Sequence, residues 1–120
     1  MHGDLHDRNL LLHSGRLAIL DLDRLGPGYP IAEVGNLTAH IVLRSLQAGE
    51  RIAASDDLIS AFLRAYERAG GFMEQDLHAA AVARTLFRLA CLYRFRRQQA
   101  WLCPTLLAES RRFAEHGSKR

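Results

Sequence analysis

Two carboxylates and an amide near the start of the chain have the types and spacing to act on one another's neighbours. The segment reads His2-Gly3-Asp4-Leu5-His6-Asp7-Arg8-Asn9, and Leu20-Asp21-Leu22-Asp23 follows shortly after. Phosphoryl transfer needs two things that such residues supply. Ions bridging nucleotide phosphates need hard oxygen ligands on constrained side chains. An acceptor hydroxyl needs a carboxylate to orient it and take its proton. In the kinase arrangement an Asp is followed by four residues and an Asn, and a second Asp comes after a short hairpin. Here residues 5 to 8 separate Asp4 from Asn9, and a hairpin-sized gap leads to Asp21. Because Asn9 and Asp21 flank the ends of that gap, folding it back brings them together. Asp4, Asn9 and Asp21 are therefore expected to converge on one solvent-reachable pocket.

Other uses of these residues compete. His2, Asp4 and His6 alternate, so an extended strand would place all three on one face as a metal triad. That reading gives no role to Gly3 or to the Asn9 spacing, and the two histidines are better read as braces of a loop. Asp23 reads as a partner for Arg24 or Arg16. Asn36 and His40 lie one helical turn apart and read as a helix-start amide and a half-buried histidine.

The elements that must position these residues are legible in outline. Leu10-Leu11-Leu12 and Leu17-Ala18-Ile19-Leu20 are strand-length apolar runs around His13-Ser14-Gly15-Arg16, a tight turn in which Gly15 is free to take positive φ. Gly26 to Pro30 is a loop by composition. Beyond Pro30 the apolar period becomes helical. One stripe runs from Val34 to Val42 and ends at Gly49. A second follows a Ser55 cap and its acids Asp56 and Asp57, and stops at Gly70-Gly71. A long, broadly apolar helix is expected from Glu74 to Gln98, and Pro104 fits the first turn of a last one. The expectation is a mainly α chain with a small β-hairpin: residues 1–30 form the loop, hairpin and metal-binding segment, and residues 31–120 a helical subdomain.

Composition sets limits. The 120 residues are 48% hydrophobic and 24% charged, with a net charge of +3. That balance is globular and too mild to call for a nucleic-acid partner. No apolar run is long enough to span a membrane, and no signal-peptide pattern opens the sequence. Cys91 and Cys103 lack metal-site spacing and are expected to be reduced thiols of a cytoplasmic protein.

The motifs resemble one family. His-Gly-Asp-Leu-His-x-x-Asn-Leu-Leu, a hairpin and Leu-Asp-Leu-Asp are similar to the aminoglycoside phosphotransferase and choline kinase group. Gly28-Tyr29-Pro30-Ile31-Ala32-Glu33-Val34-Gly35-Asn36-Leu37 is similar to that group's Gly-Asp-Pro-x-x-Asp-Leu-Gly-Asn-Leu continuation. Tyr29 and Glu33 depart from it, each standing where the group has Asp, at positions read as structural. The resemblance covers about the first 40 residues. It implies the C-terminal lobe of a protein-kinase-like α+β fold, with Asp4 as the catalytic Asp and Asn9 and Asp21 as ligands of magnesium and hence of ATP. It also implies transfer of the γ-phosphoryl group to a small-molecule alcohol. The strand lysine and glycine-rich loop of such an enzyme are not found: the lone lysine is Lys119. A C-terminal fragment is therefore expected, inactive by itself. The alternative is a non-catalytic helical remnant or binding module. In the resembled group the later helices supply acceptor contacts. Here they carry arginines at 84, 88, 94, 96, 97, 111 and 112 against Glu74, Asp76, Glu109 and Glu115. An aminoglycoside, a polycation, is not the expected acceptor; a neutral or anionic alcohol is.

Overall fold

The computed structural model describes residues 1–23 and 25–118, with side chains to residue 115. The chain is mainly helical with one small sheet. A 3-10 turn at Asp7–Asn9 leads into strands β1 (Leu10–His13) and β2 (Arg16–Ile19). Helices α1 (Pro30–Gln47), α2 (Ile52–Arg68), α3 (Gln75–Tyr93) and α4 (Leu102–Ser118) follow.

The hairpin forms as its sequence dictates. β1 and β2 are antiparallel, with Leu10 opposite Ile19 and His13 opposite Arg16. The two-residue turn between them has φ of 50° at Ser14 and 73° at Gly15. Positive φ at both turn residues gives a connection whose twist matches that of the strands. The hairpin takes no part in the helical core: Leu11, Leu12, Leu17 and Ile19 are all exposed.

The core lies between the helices. Ala39, Val42 and Leu43 of α1 meet Ile59 of α2, Val82, Leu86 and Leu89 of α3, and Leu102 and Leu106 of α4. α3 packs against both α1 and α4, as its wide apolar face requires. α1 approaches α3 closely at Gly35. A Cβ there would lie 2.5 Å from the Cβ of Ala81 and 3.1 Å from its backbone carbon. Helix backbone cannot yield to that extent without moving α1 off α3.

Two helix boundaries differ from expectation. α2 begins at Ile52, with Arg51 as an extended cap residue whose side chain makes no capping bond. Ser55 is buried and its hydroxyl donates to the Ile52 carbonyl at 2.8 Å, so it closes the first turn rather than preceding it. α3 ends at Tyr93, five residues before Gln98. Successive three-residue-spaced bonds, Arg96 N–H to Tyr93 and Gln99 N–H to Arg96, turn the chain back so that α4 runs along α3. Gln47 holds this turn, donating to Gln99 Oε1 at 2.8 Å and to the Tyr93 hydroxyl at 3.3 Å. No helix is long and apolar enough to cross a membrane among the described residues. Cys91 and Cys103 are both free.

Candidate active site

The first nine residues form a loop fixed from three sides. From the hairpin side, the His2 ring lies 2.7 Å from the Leu20 carbonyl through Nε2, while its Nδ1 accepts the Asp4 N–H at 3.3 Å. The second bond makes Nδ1 an acceptor, so the ring proton is on Nε2 and is donated to Leu20. Both nitrogens are spent on backbone, and His2 is buried. That removes the His2-Asp4-His6 metal triad. No group of three or more His, Cys, Asp or Glu side chains suited to a metal exists among the described residues.

From α1, three side chains reach the loop. Glu33 Oε1 accepts the Gly3 N–H at 2.6 Å, Asn36 Nδ2 donates to the Leu5 carbonyl at 2.6 Å, and Arg44 donates to Asp7 at 2.7 Å. The longer Glu33, at a position where a shorter Asp was the pattern, thus braces backbone. Asn36 is more than a helix-start amide: it ties α1 to the loop. The third side is internal, where Asn9 Nδ2 donates to the Asp4 carbonyl at 3.0 Å.

Asp4 sits at the loop's surface with its carboxylate partly exposed, Oδ2 being 3.7 Å from His6 Nε2. His6 Nδ1 accepts the Arg8 N–H at 3.2 Å, and its Nε2 lies near both the Asp4 carboxylate and the Asn9 amide nitrogen, 3.4 Å from the latter. Asn9 is buried, and its amide nitrogen is committed to Asp4, which turns the side-chain oxygen away from that carbonyl. The Asn9 carbonyl accepts the Leu20 N–H at 2.7 Å, extending the hairpin ladder by one rung. Asp21 follows that rung directly. It is exposed and holds φ of 58°, a left-handed conformation that Asp and Asn reach more readily than other non-glycine residues. Strained backbone of this kind collects at functional sites.

A cavity of about 410 Å³ opens beside Asp4, between the loop, α1 and α3. Asp4, Glu33, Asn36, Arg84, Thr85 and Arg88 line it; Asn9 and Asp21 do not. Asp4 borders this cavity and its carbonyl accepts from the Asn9 amide, while Asp21 follows the rung that joins the Leu20 N–H to the Asn9 carbonyl. Asp23 and Arg16 form no ion pair with each other; Arg24 lies outside the described residues. In the sequence Arg84 and Arg88 are legible only as charges on a helix. Their spacing of four, one turn apart on one face, was the available signal; that this face meets the Asp4 loop depends on how α1 seats on α3.

Behind the loop, the His6 and His40 rings stack at 5.0 Å, and His40 Nδ1 bonds the Asn36 carbonyl at 2.9 Å. Burial holds the His40 imidazole below its ordinary pKa, with the neighbouring His6 adding to the effect against the opposing Asn36 bond. Burial alone does the same to His78, which lies 3.0 Å from the Thr38 hydroxyl. Burial would raise the Asp7 carboxyl, but the Arg44 hydrogen bond and charge outweigh it and hold the pKa low. His40 and His78 fold with lowered proton affinity, so the unfolded chain binds more protons at these two sites than the native one as pH falls through about 6.5. Their contribution is complete above that value and is lost progressively below it, toward their folded pKa. The denaturant midpoint is expected to drop between about pH 7.5 and about pH 5.5, well above the acid range in which Asp7 loses its own contribution. A midpoint constant over that interval contradicts this.

A family model, the phosphotransferase enzyme family, matches residues 1–82, which takes in the loop, the hairpin, α1, α2 and the start of α3. No curated protein and no solved structure matches the chain. The matched segment carries Asp4, Asn9 and Asp21 together with the α1 side chains that brace their loop, and by that match the chain belongs to the phosphotransferase enzyme family.

Proposed function

We propose that this chain is the C-terminal, kinase-like lobe of an enzyme that moves the γ-phosphoryl group of ATP to an alcohol on a small molecule. The observation that carries the reading is the pair of bonds that link the three residues through the backbone: the Asn9 amide donates to the Asp4 carbonyl, and the Asn9 carbonyl accepts from the residue before Asp21. A carboxylate that borders a cavity can receive an alcohol, orient its hydroxyl and accept its proton as the oxygen attacks phosphorus. Two oxygen-bearing side chains on the hairpin side are the donor type that magnesium takes. The left-handed backbone at Asp21 fits a residue held for its carboxylate rather than for its turn. Asn9 and Asp21 would hold the ion, which when bound neutralises phosphate charge. The chain's own residues do the remaining work. His2 locks the loop to the hairpin, Glu33 and Asn36 lock it to α1, and Asp4 faces the acceptor.

Two protein ligands hold magnesium only weakly without nucleotide phosphates, and the sequence contains no glycine-rich loop. Negligible turnover is therefore expected from the 120 residues alone, and binding is the quantity to measure. The test is an NMR titration with the non-hydrolysable ATP analogue AMP-PNP. Weak binding that requires magnesium and shifts the amides of Asn9 and Asp21 is the expected result. Binding indifferent to magnesium, or shifts confined to the helices, would sink the assignment.

A further inference from the structure

The cavity beside Asp4 has a charge pattern that neither the loop nor the family match accounts for. Arg84 and Arg88 stand one turn apart on α3 and both line it. Neither guanidinium pairs with a carboxylate among the described residues, whereas Arg44 pairs with Asp7 and Arg112 with Asp56 and Glu109. Arg88 makes one long contact, 3.4 Å to Asn36 Oδ1. Of the two carboxylates in the cavity, Glu33 is engaged with the Gly3 N–H. That leaves Asp4 toward the loop and two unpaired guanidiniums on the α3 wall. A guanidinium presents a planar fork of donors that matches a carboxylate or a phosphate.

We propose that this cavity takes a small alcohol carrying an anionic group, and that Arg84 and Arg88 bind that group while the hydroxyl faces Asp4. Calling the molecule the phosphoryl acceptor rests on the function proposed above; the anion site itself does not. A nucleotide phosphate is the other source of negative charge. Asn9 and Asp21, the side chains suited to a magnesium–nucleotide complex, are not among the residues that line the cavity, whereas Asp4 and both arginines are. The pair is therefore on the acceptor flank. A cationic group placed on the α3 wall would face two guanidiniums at close range and be disfavoured there.

The 120-residue chain is titrated with D-glycerate, glycerol 3-phosphate, glycerol, choline and magnesium AMP-PNP. The R84Q/R88Q variant is compared with R94Q/R97Q, which removes the same charge from the exposed turn after α3. The two anionic alcohols should bind more tightly than glycerol, and choline least. R84Q/R88Q should weaken the anions by about tenfold or more and leave glycerol unchanged, while R94Q/R97Q leaves all of them within about twofold. The proposal is overturned if neither anion binds more tightly than glycerol, or if the two variants behave alike. It is also overturned if R84Q/R88Q weakens magnesium AMP-PNP and spares the anionic alcohols, because the pair would then read nucleotide phosphate. Anion selectivity without any nucleotide binding supports the site and sinks the phosphoryl-transfer reading alone.

Discussion

Asp4→Asn is expected to lower turnover by about 10²-fold or more in a turnover-competent form of the protein, the loss typical of a positioned general base. Asparagine matches aspartate in shape and keeps an oxygen that can accept a hydrogen bond from the acceptor hydroxyl. It cannot take the proton. The change touches little else. The bond from Asn9 runs to the backbone carbonyl of residue 4, and the bond to His2 comes from its backbone N–H, so both survive. The side chain is partly exposed, with His6 Nε2 3.7 Å away, and stability should stay within about 0.5 kcal/mol. The effect should fall on kcat, with nucleotide binding unchanged, since Asp4 lies toward the cavity and not the hairpin. An unchanged rate would remove Asp4 from its role. An equal loss in nucleotide affinity would mean that Asn replacement has disturbed the loop and not the chemistry.

How much of this was legible in the sequence differs from element to element, for physical reasons. The hairpin was readable because its signal is local: Ser14 and Gly15 both tolerate positive φ, and the flanking runs have strand length. The Asp4–Asn9–Asp21 spacing was readable for the same reason, since the hairpin alone fixes which backbone groups of Asn9 and Leu20 meet. The end of α3 was not. Residues 94 to 101 contain neither Gly nor Pro, and their amphipathic pattern continues that of the helix; the turn exists because Gln47, from α1, holds Gln99. Ser55 misled through its chemistry. A serine ahead of two acids is a good cap, yet burial and a bond to Ile52 place it inside the helix. The cavity was least legible. Its lining joins residues 4, 33, 36, 84 and 88, far apart in sequence, and they meet because Gly35 lets α1 seat against Ala81. Glu33 and Asn36 flank that glycine on α1, so the residue that permits helix packing also sets the height of the loop braces.

Asp21 separates catalysis from stability, and its variants should move the two in opposite directions. Its φ of 58° is a conformation that glycine adopts freely, that costs most other residues roughly 1–2 kcal/mol, and that costs Asp and Asn less. The side chain is exposed, and the bonds that hold this part of the hairpin belong to the backbone of Leu20. Asp21→Gly should therefore leave the thermal midpoint unchanged or raise it, by up to about 1 kcal/mol of stability. Activity should go the other way. On the proposed assignment, losing one of the two oxygen-bearing side chains that would hold the ion would remove several kcal/mol of charge stabilisation from the transition state, which at about 1.4 kcal/mol per decade is a loss of about 10²-fold or more. Asp21→Asn discriminates further. Asparagine tolerates the left-handed backbone and keeps an oxygen without the charge, so its lost rate should recover partly as magnesium concentration rises, whereas Asp21→Gly should recover less. Stability and turnover measured together on the two variants decide the role. If Asp21→Gly lowers the midpoint and spares turnover, Asp21 is a turn residue and the ion is held elsewhere. If it keeps the midpoint and removes magnesium-dependent turnover, the strained backbone is retained for the carboxylate it carries.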